Sequence, residues 1–358
     1  MNRRYDLREL KVEVNRECPL KCLHCSSNGM PHATDRLPLQ RLIHLIEEFA
    51  DLGGEKLCIS GGEPLCYEGL QTVLGISRRY DIHTELYTVG IPSSNGLLRP
   101  ASEELLDLLA REGVKVIFSL HGMQATTHDA LTQVKGSFNT TLTAIERTLL
   151  AKIPTEVHIV PTAINFMEIS SMTSLLASMG IRGISWLRFV PQGRGQQNRH
   201  ILQLRKEQLA LLIRTKVELQ QEWRELKVRT GAPFNILLPD CPSACTAGLS
   251  VLVVRPNGRA VPCDAFKQFS LDDRFGNVLE HSLSEVWTHS ELLNRVRRIQ
   301  ESTHDSECVS CPAFSRCRSG CLAQKAIAGR ALTDGKDPDC LLKPAEGRVG
   351  EIEAVATS

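Results

Sequence analysis

Residues 10–25 read LKVEVNRECPLKCLHC. The first five, Leu10 to Val14, form a β-rich run, and the chain then meets Cys18, Cys22 and Cys25 in the spacing C-x3-C-x2-C. Three thiolates in so short a loop can wrap three irons of a cubane [4Fe–4S] cluster and leave the fourth iron without a protein ligand. An open iron is a place for a chelating molecule. The same spacing also suits a zinc site of three cysteines completed by His24 or His32, and on these residues alone both readings stand.

Downstream, short β-rich runs alternate with helical stretches. Strands are predicted at Leu10 to Val14, Lys56 to Ser60, His83 to Thr88, Val114 to Leu120, Glu156 to Ile164 and Gly183 to Val190. Helices are predicted between them at Gln40 to Leu52, Gly69 to Arg79, Ser102 to Arg111, Thr140 to Lys152 and Ile169 to Met179, with leucine or isoleucine at three- and four-residue spacing. Strand followed by helix, repeated, predicts an α/β fold with a parallel sheet. Six units are too few to close on eight strands and predict a partial (β/α)6 TIM-like barrel, with its reactive face at the carboxyl ends of the strands. The cysteine loop lies on that face. The core is expected to span residues 8–200, followed by a polar linker helix within 201–235, a cysteine-rich domain at 236–345 and a flexible tail at 346–358.

Thirteen of the 358 residues are cysteine, an odd number that falls into two groups separated by a cysteine-free middle, which argues against a disulfide framework and for metal or cluster ligation. Forty-two Lys and Arg against 41 Asp and Glu leave a net charge of +1, so no general attraction to nucleic acid or to an anionic membrane is expected. Neither a signal peptide nor an 18-residue apolar stretch is present, and a cytoplasmic protein is expected.

The second predicted strand ends in Cys58-Ile59-Ser60-Gly61-Gly62-Glu63-Pro64. By itself Gly-Gly-Glu-Pro suits an ordinary βα turn; beside C-x3-C-x2-C it strongly resembles the radical S-adenosylmethionine (SAM) enzymes. In that family the amino and carboxylate groups of SAM chelate the open iron, an electron from the cluster cleaves the C–S bond, and a 5′-deoxyadenosyl radical abstracts a substrate hydrogen. The resemblance implies a SAM site at Gly61, Gly62, Glu63 and Pro64, the glycines admitting backbone carbonyls to the methionyl ammonium and Glu63 supplying a negative partner. Thr88-Val89-Gly90 stands where relatives often have a Thr-Asn-Gly turn. The resemblance further implies Ser119, in Ser119-Leu120-His121-Gly122, for the ribose and carboxylate of SAM, Asn165 near the ribose, and Arg188 near the adenine. Each of these is equally at home as a polar residue at a strand end. His24 replaces an aromatic residue that packs on adenine, and is expected to pack rather than to ligate. Thr132 stands where a relative carries an Arg, leaving the SAM carboxylate to another partner or to Lys135. Cys58 is expected as a small core residue and Cys66 as a loop residue, neither a ligand.

Towards the C-terminus, Cys308-x2-Cys311-x5-Cys317-x3-Cys321 and Cys340 follow Cys245 and Cys263, which flank a predicted hairpin: Ser250 to Arg255, a Pro256-Asn257-Gly258 turn, then Arg259 to Cys263. This resembles the seven-cysteine pattern of the SPASM domain. With Cys241 the region holds eight cysteines, enough for two four-thiolate clusters, or for a pair of zinc sites. The resemblance implies that Cys241, Cys245, Cys263 and Cys321 hold one auxiliary [4Fe–4S] cluster and Cys308, Cys311, Cys317 and Cys340 a second, making three clusters in all. It also implies that fully ligated auxiliary clusters pass electrons, and that Asp264 is the catalytic base of an oxidation.

Three functions remain open at this point. One is modification of a peptide or protein residue by dehydrogenation or crosslinking, although only 17 residues precede Cys18 and a leader-binding domain is expected to be missing. Another is dehydrogenation, epimerisation or decarboxylation of a small molecule such as a sugar, nucleoside or tetrapyrrole; Val190-Pro191-Gln192-Gly193-Arg194-Gly195 is similar to tetrapyrrole-modifying relatives. The third is a non-catalytic zinc-binding scaffold. The enzymatic readings imply a flavodoxin- or ferredoxin-type electron donor.

Overall fold

The computed structural model describes residues 5–93, 95–230, 245–302, 308–311 and 313–341; Cys241 and the tail predicted at 346–358 lie outside them. Its strands are β1 (Glu9–Glu13), β2 (Lys56–Ser60), β3 (His83–Thr88), β4 (Lys115–Ser119), β5 (Thr155–Ile159), β6 (Gly183–Trp186), β7 (Lys227–Thr230), β8 (Val251–Val254) and β9 (Ala260–Val261). They form one open sheet in the order β7-β6-β5-β4-β3-β2-β1-β8-β9. Every neighbouring pair is parallel except β8 with β9. Helices Leu39–Asp51, Leu70–Arg79, Glu103–Arg111, Ser137–Leu150, Ile169–Ser178 and Lys206–Glu222 lie between successive strands of the run from β1 to β7.

The six predicted strands and five predicted helices are present, β2 and β3 with the predicted bounds and the others with shifted ends. β5 stops at Ile159 rather than Ile164 because Pro161 has no amide to give a sheet ladder. Two features go beyond the prediction. The linker region holds the helix Lys206–Glu222 and then β7, a seventh parallel strand at the sheet edge. Lys227-Val228-Arg229-Thr230 offers a single large apolar residue, too little for a hydrophobic run to be seen. The predicted C-terminal hairpin forms as β8 and β9, and β8 also pairs with β1, Leu10 opposite Leu252 and Val12 opposite Val254.

The sheet has two unlike faces, because successive side chains along a strand alternate. Leu10 and Val12, Leu57 and Ile59, Val116 and Phe118, Val157 and Ile159, and Ile184 and Trp186 all enter the large apolar core with the helices. The opposite face carries Glu9, Lys11 and Glu13 on β1, Lys56 and Cys58 on β2, Glu85 and Tyr87 on β3, Lys115 on β4, Glu156 and His158 on β5, and Arg229 on β7. Parallel strands covered on both faces run apolar throughout; this pattern marks a polar interior. A second, smaller core of Val253, Val261, Phe266, Leu292, Val296, Leu322, Ala323 and Leu332 builds the C-terminal region against the end of that face.

Candidate active site

β1 delivers the chain to Asn15–Glu17 and then to the three cysteines. The turn after β2 lies against that segment: the Gly62 amide donates to the Asn15 carbonyl (2.8 Å), the Glu63 amide to the Glu17 carbonyl (2.6 Å), and Asn15 Nδ2 to the Glu63 carbonyl (3.0 Å). A Cβ on Gly62 would stand 2.3 Å from the Glu17 carbonyl oxygen and 2.5 Å from that of Arg16; one on Gly61 would stand 2.6 Å from Asn15 Oδ1. Backbone proximity therefore demands both glycines, which form the seam between the cysteine loop and the second strand.

On its other side the loop is held by the helix Ala125–Thr132, through Lys21 N–H to the Thr132 carbonyl (3.0 Å) and Leu23 N–H to the Leu131 carbonyl (2.8 Å). Thr132 thus anchors the loop, and Lys135 is exposed. Arg194 straps the loop from outside: Nε donates to the Cys22 carbonyl (2.9 Å) and Nη2 to the Gly29 carbonyl (2.6 Å). Gly193 permits this approach at φ +55°, with the Cys25 carbonyl oxygen 2.8 Å from where a Cβ would be. The Gly-Arg-Gly stretch is thus a clamp on the cysteine loop.

Burial, then the neighbouring Cys22, pushes the Cys18 thiol well above its usual range, and burial, then Cys25, pushes Cys22 up to about 12. Cys18 and Cys22 thus ionise poorly alone, and an iron–sulfur core would supply the missing positive charge. The donor set fits the cluster.

The remaining SAM-site residues divide. Ser119 closes β4, half-buried. Glu63 is fully buried; its carboxylate accepts from the Leu65 amide (3.0 Å), the Thr88 hydroxyl (2.5 Å) and the Val89 amide (2.8 Å), and burial raises it to about 7. It ties the β2 turn to the β3 turn, where the resemblance implied a partner for an ammonium. Asn165 is also fully buried: Oδ1 accepts from the Thr162 amide and hydroxyl (2.7 and 3.0 Å), and Nδ2 donates to the His121 and Val160 carbonyls, both at 3.0 Å. It braces two loops. Arg188 reaches the C-terminal region. Its side chain, 4% exposed, pairs with Asp337 and Asp339 of the C-terminal region at 2.5–3.0 Å. Each of the three has at least one partner from a distant part of the chain.

Beside the cysteine loop stand three imidazoles. The His24 and His121 rings meet edge to face at 4.3 Å, and His121 stacks on His128 at 6.1 Å. His128 Nδ1 accepts from the His121 amide (3.1 Å), which places its proton on Nε2. Burial holds His24 and His128 down to about 4, and His121 well below its usual value, so all three are neutral. Among the described residues His24 Nδ1, His121 Nδ1 and His128 Nε2, all buried, have no hydrogen-bond partner, which fits a site for a polar ligand. His128, on the helix Ala125–Thr132 that follows β4, was missed by sequence reasoning as a site residue.

Along the polar face runs a continuous chain of ion pairs. Arg229 pairs with Glu156, Glu156 with Lys115 (2.7 Å), Lys115 with Glu85 (3.3 Å), Glu85 with Lys56 (3.8 Å), Lys56 with Glu9 (2.7 Å) and Glu9 with Lys11 (3.4 Å). Lys11 then meets Asp264 (3.1 Å), Asp264 meets Lys267 (3.0 Å), and Lys267 meets Glu13 (2.7 Å). Cys58 sits within this row, 3.6 Å from Glu9 Oε1 and 3.7 Å from Glu85 Oε2. It is buried, as expected, but among carboxylates rather than in the apolar core. Asp264 is 48% exposed on its side chain, and its two ammonium neighbours hold its carboxyl far below the usual range against the effect of burial. A carboxylate so held is a permanent anion and a weak base.

In the C-terminal region, Cys263 is pushed well up by burial, then by Cys321 and Cys245, and Cys321 feels Cys245 in turn. Cys317 is pushed up to about 12 by burial, then by Cys340, Asp337 and Cys308, and the Cys311 amide closes a turn on the Cys308 carbonyl (2.9 Å). Cys245 and Cys321 thus lie within electrostatic reach of Cys263, and Cys308 and Cys340 within that of Cys317.

The radical SAM superfamily matches residues 12–172, and SPASM, an iron–sulfur cluster-binding domain, matches residues 245–312. The chain belongs to the radical SAM superfamily. This radical SAM enzyme is 29% identical over 352 residues to the PqqA peptide cyclase of Rhizobium meliloti, covering 96% of this chain and 90% of that one. It is 29% identical over 346 residues to the mycofactocin maturase MftC of Mycolicibacterium smegmatis, covering 93% and 82%. Its fold matches that of Streptococcus suis SuiB, solved bound to S-adenosylmethionine, with a TM-score of 0.76 at 18% identity over 94% of this chain and 78% of that one. As a radical SAM/SPASM protein it binds SAM and iron–sulfur. Among the described residues no helix is long and apolar enough to cross a membrane.

Proposed function

We propose that this radical SAM/SPASM enzyme removes hydrogen from a residue of a peptide or protein and completes an oxidative modification of it. The peptide assignment is supported by relatives named as a peptide cyclase and a maturase that align along nearly the whole chain. A four-iron cluster on Cys18, Cys22 and Cys25, with SAM on its open iron, supplies the one-electron chemistry that breaks the C–S bond of SAM and opens a substrate C–H bond. The chain's own residues do the rest. The seam at Gly61 and Gly62 and the clamp at Arg194 fix the cluster loop. Pro64, Ser119 and the three neutral imidazoles line the SAM side, while Glu63, Asn165 and Arg188 stiffen the loops behind it. The polar face of the sheet receives the substrate, and Asp264, a half-exposed member of the ion-pair chain, meets it as a hydrogen-bond acceptor.

Cys241, Cys245, Cys263 and Cys321, and Cys308, Cys311, Cys317 and Cys340, would hold two further [4Fe–4S] clusters, which would supply a path for the electron released by the oxidation, and a flavodoxin- or ferredoxin-type protein would supply the reducing electron. The domain division is a core to residue 200, a linker to 235 and an auxiliary-cluster domain from 236. The observation that carries this reading is the meeting of the cysteine loop, the Gly61–Gly62 seam and the unpartnered imidazoles at the carboxyl ends of the strands. Anaerobically reconstituted protein, given SAM, dithionite and peptides encoded beside its gene, should yield 5′-deoxyadenosine and a peptide lighter by the hydrogen lost. Turnover confined to small molecules would overturn the peptide assignment.

A further inference from the structure

The helix Leu322–Ile327 carries Lys325, whose side chain is 0% exposed and whose Nζ has no hydrogen-bond partner among the described residues. An ammonium without a partner is among the costliest groups to bury, and such groups persist where something compensates the charge. Asp337 lies within electrostatic reach but is already engaged: Oδ1 accepts from Arg188 and the Asp339 amide, and Oδ2 from Arg188 and the Cys321 amide. The other groups within reach are Cys308, Cys317 and the exposed Asp334. Two of the three are thiols of one cysteine group.

We propose that Lys325 is the buried counter-cation of the cluster held by Cys308, Cys311, Cys317 and Cys340, and that it stabilises the reduced form of that cluster. The inference rests on the assignment of those four cysteines made above. A four-iron cluster on four thiolates is a net anion and gains a further negative charge on reduction. A fixed cation in a poorly solvated site favours that gain. Arg188, buried against Asp337, is neutralised on the spot, which leaves Lys325 as the uncompensated charge.

The test is potentiometry with dithionite, followed by electron paramagnetic resonance, on the full-length reconstituted chain as wild type, Lys325→Met, Lys325→Arg and Cys317→Ser. The Cys317→Ser protein identifies the signal of the cluster concerned. Lys325→Met should keep its iron and shift that one signal to lower potential by at least a tenfold change in the oxidised-to-reduced ratio, 59 mV for one electron, while Lys325→Arg stays near wild type. An unshifted signal in an iron-replete Lys325→Met protein would overturn the proposal. Should Lys325→Met lose iron, retention by Lys325→Arg supports the cation and loss by both refutes it. If Cys317→Ser removes no signal and no iron, the cluster assignment itself fails, a result separate from an unmoved potential.

Discussion

Asp264 lies between Lys11 and Lys267, and that position decides what it can do. Two ammonium groups keep it ionised at every ordinary pH, so it can accept a hydrogen bond or steady a developing positive charge, and it can take a proton only if substrate draws a lysine away. Asp264→Asn should leave 5′-deoxyadenosine formation near wild type and lower substrate modification by about 10²-fold, measured by chromatography of both products. Equal modification by the variant would remove Asp264 from the site. Gly62→Ala makes a different prediction. A methyl 2.3 Å from the Glu17 carbonyl oxygen forces the β2 turn off the cysteine loop, so reconstituted protein should lose about four irons and its SAM cleavage. At this scale the cysteines were legible because ligand spacing is local. The distant partners of Glu63, Asn165 and Arg188 were not, because Thr88, His121 and Asp337 lie far along the chain and meet them only in the fold.

The strands were readable as elements, because the alternation that marks them in the sequence is the one the core uses. The charged half of that alternation, Glu9-x-Lys11-x-Glu13 and Lys56-x-Cys58 among others, carried the further message that one face of the sheet is polar. Pairings such as Lys115 with both Glu85 and Glu156 depend on register across strands and are not visible in any one of them. Gly183 leaves the space that the Glu156 carboxylate fills, 2.6 Å from where a Cβ would stand. Burial works against the charge of Glu156, but Lys115 and Arg229 overcome it and hold its carboxyl below the usual range. A carboxyl lowered in the folded state stabilises the fold fully above its unfolded value, and that contribution is lost as pH falls through the folded value. Between about pH 6 and about pH 3 the apparent melting temperature of wild type should therefore fall more steeply than that of Glu156→Gln. Parallel curves would show that the ion-pair chain contributes nothing to acid stability.

For the whole molecule, the C-terminal region completes the sheet as well as carrying cysteines. β8 covers the edge of β1, and Leu252 and Val254 enter the main core, each buried side chain contributing about 1.5–3 kcal/mol. A chain cut after Thr230 exposes that edge and should elute as aggregate in size-exclusion chromatography; a stable monomer would show that β1 does not need β8. This joint was hidden in the sequence because the hairpin is a complete local motif, and nothing local says which strand it joins. Arg188 fastens the same two regions from the other end, through Asp337 to the Cys321 amide. The central claim is that Cys18, Cys22 and Cys25 hold the SAM cluster beside two others. It is tested most directly by the iron and sulfide content of anaerobically reconstituted protein, compared with a variant in which all three are changed to Ala. The account predicts about twelve irons falling to about eight, with SAM cleavage abolished. A variant that kept all its iron, or still released 5′-deoxyadenosine, would contradict it.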